Sequence, residues 1–480
     1  MSASMLSAKF IARKDRTEIV RDKRLVVAIV LVGLLSLAAI MTSYARVDAN
    51  ARDRAAATAQ ERKSWLAQGE RNPHSAAHFA QWTFRPLDAP TLLDPAATDY
   101  AGSAIWLEAH ARNSAAFRPI ETRAATLDLG RLSAGWVLQT FGPLLAFLLG
   151  AGLVARERER GTLRLMLASG AAPRQLLYAK TSGLLVTIGL VSIPILLAAG
   201  ATVIMAPGAV TADIIIRTML WSVFHIAWLV LAVLFAISIS TLIKKTARVL
   251  LILVGLWVLA VPVMPRAVSG LAEVIHPTPS AAQFWADARS EISNGFDERG
   301  DRATRDKALE AGLLAEYGVK TTDDLPISYR GARLDASERF GNEVYARRYA
   351  LLEEVYADQR ETMRLGAILS PFIAMQNISA ALAGTDNRHL RHFEMQAEAE
   401  RQTVVNALNR DLMINAVGVE DYTADEELWS SFEVFEPTPL PISDAVKSIV
   451  LDILILLAWL IGAFWLLSRA TRALRQEMLG

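Results

Sequence analysis

The stretch VARERERGTLRLMLASGAAPRQLLYAK, from Val154 to Lys180, decides how the rest of the chain is arranged. One apolar run ends just before this stretch, and another begins within its last residues. A segment this rich in charge cannot lie in the hydrocarbon of a membrane, and it is too short to form a domain. We therefore interpret it as a tight turn between two membrane spans, which presents a small helix outside the membrane.

The composition is that of a membrane protein rather than a soluble enzyme. The chain has 480 residues, 52% of them hydrophobic, and these are concentrated in long runs. Such runs are typical of membrane-spanning helices. The chain has no cysteine, which excludes disulfides and thiol chemistry. A net charge of +1 gives no reason to expect a nucleic-acid partner.

Motifs for ATP hydrolysis or peptide and ester cleavage are absent from the sequence. No Gly-Lys dipeptide occurs, so there is no Walker A motif, and neither HExxH nor Gly-x-Ser-x-Gly is present. We therefore expect that the chain is not an enzyme and holds no cofactor of its own. If ATP drives it, a partner must bind the ATP and the Mg²⁺.

Six apolar runs are long enough to cross a bilayer as helices, which takes about 20 residues. They cover residues 25–44, 134–154, 176–205, 219–243, 249–264 and 446–467. Pro262 and Pro265 are expected to close the fifth span, because proline lacks a backbone N–H. The remaining segments are an N-terminal interfacial helix or solvated terminus (1–24), a large, mainly helical insertion (45–133), the charged turn (155–175), a second such insertion (265–445) and a basic tail (468–480). The sequence thus predicts an all-α membrane protein with six transmembrane helices.

Basic residues indicate the orientation of these spans. Seven Lys and Arg residues precede the first span, and others follow the second, fourth and sixth spans. The short loop after the third span has none between Met205 and Ile216. By the positive-inside rule, both termini face the cytoplasm and both insertions face outward. We expect a multi-pass protein of the bacterial inner membrane.

Residues 365–385 are uncharged and long enough to form a seventh span. Polar residues within the segment, together with Pro371, weaken that interpretation. A seventh span would also place the basic C-terminus outside. We instead predict a helix that starts at Pro371, stops at Gly384, and packs in the outer domain or dips into the outer leaflet.

His225 lies inside the fourth span, between Trp221 and Trp228. An ionisable residue in a membrane is a candidate functional site, here for contact with a proton or a substrate. The favoured interpretation is a packing histidine that is hydrogen-bonded to a neighbouring span.

Histidines also cluster in the insertions. His74, His78 and His110 in the first insertion, or His389 and His392 in the second, are weak candidates for metal ligands. Nothing in the spacing establishes their distance in space, so structural hydrogen bonds are favoured and no metal site is predicted. Asp386 is expected to cap the helix that follows it.

Three stretches together resemble the ABC-2 type transporter permeases, specifically a subgroup with a large extracytoplasmic domain of unknown function. The first is the charged turn, which resembles the family's coupling helix. The second is the first insertion, with NPHSAAH and IWLEAHARN, and the third is Leu369 to Gln402. The turn residues that match the coupling pattern are Arg156, Glu157, Arg158, Glu159, Gly161, Thr162, Leu163, Pro173 and Arg174.

This resemblance implies a permease subunit of an exporter, which dimerises with itself or a similar permease and binds an ATP-binding cassette subunit. Glu157 and Glu159 would pair with basic residues of that subunit, and the arginines with acidic ones. The alternative for these charges is simple anchoring of the second span. The alternative for the whole chain is a signalling or mechanical device that acts on a periplasmic partner without moving a substrate. Membrane lipid is expected around the spans in either case.

Overall fold

The computed structural model describes residues 3–79, 81–122 and 132–479, and within these ranges the fold is almost entirely helical. The α-helices, in chain order, are α1 Ala3–Arg21, α2 Lys23–Leu66, α3 Pro73–Phe79, α4 Pro119–Thr122, α5 Ala134–Gly150, α6 Gly152–Glu159, α7 Thr162–Ala168, α8 Pro173–Met205, α9 Ala212–Leu242, α10 Thr246–Val258, α11 Met264–Ile275, α12 Ala281–Asn294, α13 Arg302–Tyr317, α14 Tyr329–Leu369, α15 Pro371–Ala383, α16 Asn387–Asn415, α17 Glu426–Ser430, α18 Ile442–Ser448 and α19 Val450–Leu479. The strands β1 (Gln81–Phe84) and β2 (Ala104–Leu107) pair antiparallel.

Six of the described helical segments are long and apolar enough to cross a membrane. They are Leu25–Leu66, Ala134–Glu159, Pro173–Met205, Ala212–Leu242, Thr246–Ile275 and Val450–Glu477. This confirms the predicted all-α fold with six candidate spans.

The first span continues without a break into the first insertion. α2 has 44 residues and is therefore about 66 Å long. The chain between Gly33 and Gly69 contains neither glycine nor proline and is rich in alanine, arginine and glutamate, which favour helix. The predicted span at 25–44 is thus only the apolar part of one long helix. This helix links the membrane bundle directly to the inserted domain.

The sequence predicts that the fifth span ends at Pro262 and Pro265, but the helical segment continues to Ile275. The chain passes from α10 through a π-helical turn, Leu259–Val263, into α11. A π turn accommodates a residue without an N–H, because its backbone bonds are already irregular. The Ser370 hydroxyl donates to the Ala260 carbonyl at 2.8 Å, which satisfies an acceptor near the two prolines. The second insertion therefore begins after Ile275.

α9 lies at the centre of the bundle, where it contacts α5, α8, α15 and α19. α15 starts with Pro371 and ends at Gly384, whose φ of 73° is in the left-handed region that glycine adopts readily. Its 13 residues span about 20 Å, too short to cross a bilayer. Nearly all of them are buried, and they pack on α9 and α19. The predicted start and stop of this helix are confirmed, but it packs on the spans, whereas packing in the outer domain was one of its two predicted locations.

The two insertions share one hydrophobic core. Trp65, at the end of α2, is 1% exposed and packs edge-on against Trp429 and Phe432, with ring centroids 5.8 and 5.9 Å away. The indole N–H of Trp65 donates to the Trp429 carbonyl at 2.9 Å. Arg71 and Ala424 form an antiparallel bridge beside them. We call the unit that the two insertions build together the inserted domain.

Candidate functional site

The charged turn folds as two short helices, α6 and α7, separated by Arg160 and Gly161. Gly161 has a φ of 74°, which residues with a Cβ rarely adopt. Leu163 is 2% exposed and anchors α7 in the bundle core. Pro173 then starts α8, at a position where its missing N–H costs nothing. We call α6, α7 and the residues that join α7 to α8 the elbow.

Glu157 lies in a buried ion cluster rather than on the surface. Its carboxylate pairs with Lys14 of α1 at 2.7 Å and with Lys180 of α8 at 2.8 Å. Lys180 also pairs with Asp15 at 3.3 Å. Lys180 and Asp15 are 0% and 2% exposed. Glu157 is therefore committed to holding three helices together, whereas the sequence had suggested a contact with a partner.

Arg158 and Glu159 also make contacts within the chain. The Arg158 guanidinium donates to both carboxylate oxygens of Glu477 in α19, at 3.0 and 2.9 Å, and to the Thr241 carbonyl at 2.9 Å. Glu159 accepts from the backbone N–H of Thr246 at 3.1 Å and from its hydroxyl at 2.7 Å, which caps the start of α10. These two residues thus connect the elbow to the ends of three spans.

Arginine side chains and one large apolar side chain are exposed along the elbow and the first turn of α8. We define the docking face by four exposed residues: Arg160, Arg164, Leu165 and Arg174. Leu165 is 70% exposed, although it belongs to an apolar helix. Sequence reasoning did not single out Leu165 or a docking role for Arg164. Helical periodicity could have indicated them, because a helix that turns Leu163 towards the bundle turns the next two positions of α7 away from it.

Three other predicted coupling residues differ in their surroundings. The Thr162 hydroxyl donates to the Glu157 carbonyl at 3.1 Å. Pro173 is buried, and Arg156 is exposed on α6. Of the predicted coupling residues, only part therefore faces outward.

A cavity of about 830 Å³ opens at the opposite end of the bundle. Polar residues from three spans or helices line it: Gln139 of α5, Arg266 of α11, and Gln376 and Asn377 of α15. Asp94, from the first insertion, closes one wall. An adjoining apolar cavity of about 320 Å³ shares Trp257 and Val261 with it. This is the kind of space, concave with a few polar groups, in which proteins bind small molecules.

His225 belongs to a buried hydrogen-bond network behind this cavity. Its Nδ1–H donates to the Trp221 carbonyl at 2.8 Å, so its Nε2 is the acceptor for the Gln139 amide at 3.3 Å. The Gln139 amide also donates to Asp94 at 3.1 Å, and Ser379 donates to the same carboxylate oxygen at 2.6 Å. His225 is 0% exposed. These contacts favour the packing interpretation, with Gln139 as its neighbouring-span partner.

His74, His78 and His110 come together in the inserted domain. Their nearest ligand atoms all lie within 4.8 Å of one another. The Nδ1 of His110 bonds to the buried carboxylate of Glu338, which raises the pKa of that histidine. Burial, and then the nearby charges of His110 and His78, lower the pKa of His74. The sequence could not establish this proximity, since β1 and β2 separate the first two histidines from the third.

The other histidine pair is arranged differently. His389 Nδ1 bonds to Asp386 at 2.5 Å, and its Nε2 lies 3.3 Å from the guanidinium of Arg217. The positive charge of Arg217 at this nitrogen disfavours the binding of a metal cation there. Asp386 also accepts from the His389 backbone N–H at 3.1 Å, which confirms its predicted role as a helix cap.

Comparison with known proteins gives one informative match. A family model described as ABC-2 family transporter protein matches residues 10–471, nearly the whole chain. The match runs through the elbow, the bundle and both insertions. No curated protein matches the chain.

Proposed function

Because this chain belongs to the ABC-2 family of transporter proteins, we propose that it is the membrane-spanning permease subunit of an ATP-driven transporter. A separate ATP-binding cassette subunit holds the ATP and Mg²⁺ and docks on the docking face of the elbow. A second permease, identical or similar, completes the transporter in the bacterial inner membrane. Both termini and the elbow lie in the cytoplasm, and the inserted domain lies outside.

The exposure of Leu165 on a helix held rigidly from behind is the observation that carries this proposal. A lone exposed leucine is ordinary, but here the exposed Arg164 precedes it in α7, and the exposed Arg160 and Arg174 lie just before α7 and at the start of α8. An apolar anchor with a charged rim is typical of a protein–protein hot spot. The positive charge of these arginines fits an acidic groove on the partner.

The contacts behind the docking face would transmit motion of the partner to the spans. Glu157 connects α6 to α1 and α8, Arg158 connects it to α9 and α19, and Glu159 connects it to α10. Closure of the ATP-binding subunits would therefore move these helices as one body. Packed elements of this kind respond by rigid shifts rather than by bending.

The double variant Arg164→Glu/Leu165→Asp is expected to bind the ATP-binding subunit at least about tenfold more weakly, because loss of a hot-spot anchor costs about 2 kcal/mol or more. The measurement is co-purification in detergent, followed by titration of the purified subunits. Arg289→Glu is the matched control, since Arg289 is exposed on α12 in the inserted domain. Unchanged binding by the double variant would place the docking site elsewhere. A wild-type chain that binds no such subunit would contradict the proposal as a whole.

The cavity supports transport rather than pure signalling. It lies between the second and fifth spans, and its polar lining suits the passage of a solute out of the membrane. The fifth span is largely exposed, with only 17% of its most apolar 18 residues buried. A second permease therefore has room to pack on this span and complete the walls of the cavity. We propose export as the direction, since the resemblance of the charged turn and the insertions is to exporter permeases.

Mechanical signalling is the second candidate function, and α2 favours it. One unbroken helix of 44 residues joins the membrane to the inserted domain, so motion of the bundle would reach a periplasmic partner directly. Spans that seal completely in both nucleotide states would favour this candidate over transport.

Cysteine labelling tests the cavity and the orientation together, because the native chain has no cysteine. In intact cells, Gln376→Cys is expected to react with a membrane-impermeant maleimide, since Gln376 lines the cavity. Ser379→Cys, one turn along the same helix and 0% exposed, is the control that stays protected. Leu165→Cys is expected to react only after permeabilisation. Labelling of Leu165→Cys in intact cells would reverse the proposed orientation.

A further inference from the structure

We propose that His74, His78 and His110 form a binding site for a divalent transition-metal ion of the zinc class, and that this ion fastens the two insertions to each other. The site lies in the inserted domain, away from the docking face. It involves three of the seven histidines in the chain. The proposal does not depend on the ATP-binding partner.

The distances between the three ligand atoms suit a metal ion once these atoms move slightly closer together. Three nitrogens bound to one tetrahedral zinc ion lie about 3.4 Å apart, given Zn–N bonds of about 2.1 Å. The three ligand atoms here lie within 4.8 Å of one another, and the ring centroids are 4.6 to 5.1 Å apart. His78 is exposed, so rotation of its ring can supply part of the remaining approach.

Local structure holds the first two ligands on one face. His74 and His78 are four residues apart on α3, a spacing that aligns side chains on a helix. Asn72 accepts a hydrogen bond from the His74 backbone N–H at 3.0 Å and so secures the start of this helix. His110 approaches from the turn that follows β2. Two ligands on a short helix and a third from a turn form a compact site.

The second insertion orients two of the ligands through hydrogen bonds. Glu338 of α14 is 4% exposed and bonds to His110 Nδ1. Asn409 of α16 is 0% exposed, and its Oδ1 accepts from His74 Nδ1 at 3.4 Å. Both contacts leave the Nε2 atoms for the metal. A carboxylate or amide behind a ligating histidine is the arrangement that fixes its tautomer and direction in metal sites.

This geometry unites the two interpretations that the sequence left as alternatives. The structural hydrogen bonds exist, and they occupy the Nδ1 atoms of His74 and His110 while leaving the Nε2 atoms of these rings for a metal. Because the ligands belong to the first insertion and Glu338 and Asn409 to the second, a bound ion stabilises the contact between them. Three protein ligands also leave a fourth position open for water.

Metal titration of the full-length chain tests this proposal. The chain is purified in detergent with a tag that contains no histidine, stripped with chelator, and titrated with Zn²⁺ against a chromophoric competitor. We expect about one Zn²⁺ per chain and, with Co²⁺, the strong visible absorption of a tetrahedral site. His78→Ala is expected to lower the affinity at least about tenfold, and Glu338→Gln about tenfold while it keeps all three ligands.

His276→Ala is the matched control and is expected to bind Zn²⁺ like the wild type, because His276 lies outside the cluster. Zn²⁺ is also expected to raise the apparent Tm of the wild type but not of His78→Ala. Binding that is absent in the wild type would overturn the proposal. So would binding that His78→Ala and His276→Ala retain equally, which would identify adsorption elsewhere on the surface.

Discussion

Replacing Lys180 with methionine is expected to destabilise the protein by about 3–5 kcal/mol, the usual cost of removing one partner from a buried ion pair. Lys180 is 0% exposed and lies 3.3 Å from Asp15 and 2.8 Å from Glu157. Without it, two buried carboxylates share a single lysine, Lys14, which is 43% exposed. The apparent Tm of the purified protein in detergent measures the loss.

Lys14→Met is the matched control for this substitution. It removes the same charge from the same cluster, but Glu157 keeps its buried partner Lys180. Because exposed ion pairs contribute little, we expect a loss of about 1 kcal/mol or less. Adding Asp15→Leu and Glu157→Gln to Lys180→Met is expected to restore much of the stability, since no buried charge is then left alone. Equal losses from Lys14→Met and Lys180→Met would contradict the buried cluster.

Replacing Trp65 with alanine is expected to cost about 3–5 kcal/mol, in line with other large-to-small changes in protein cores. Trp65 is 1% exposed and holds Trp429 and Phe432 in edge-on contact. These contacts join the end of α2 to the last part of the second insertion. We therefore expect the inserted domain to open while the spans stay folded, which limited proteolysis of membrane vesicles detects as new cleavage in the insertions.

Trp65→Phe separates packing from hydrogen bonding at this site. Phenylalanine keeps an aromatic ring in place but cannot donate to the Trp429 carbonyl, which Trp65 does at 2.9 Å. The expected loss is about 1–3 kcal/mol, the cost of a buried acceptor without its donor. An inserted domain that resists protease equally in Trp65→Ala and the wild type would show that the two insertions do not depend on this core.

The ion cluster has a consequence for tests of ATPase docking. Substitution of Glu157 weakens the fold as well as the elbow, because this carboxylate bonds to helices on both sides. A loss of partner binding in such a variant would not identify a contact residue. Arg164 and Leu165 are the better positions, since they are exposed and stand on the outer side of α7.

Local composition and periodicity were enough to predict several features of this protein. Hydropathy marks the six spans, because each must bury about 20 apolar residues in lipid. Proline and glycine mark the two ends of α15, since each residue type has its own backbone preference. The pattern of the charged turn indicated an elbow, and the match over residues 10–471 agrees with the family that it suggested.

Which side chains are internal and which face outward depends on contacts between segments that are far apart in sequence. Lys14 and Glu157 are 143 residues apart in sequence, and no local pattern shows that they form an ion pair. The same holds for Trp65 with Trp429 and for the three histidines, which meet because the two insertions fold on each other. The fifth span continues past its prolines, and the hydroxyl of Ser370, far along the chain, donates to the Ala260 carbonyl at that point. Contacts between distant segments depend on how helices pack, and packing is a property of the whole fold.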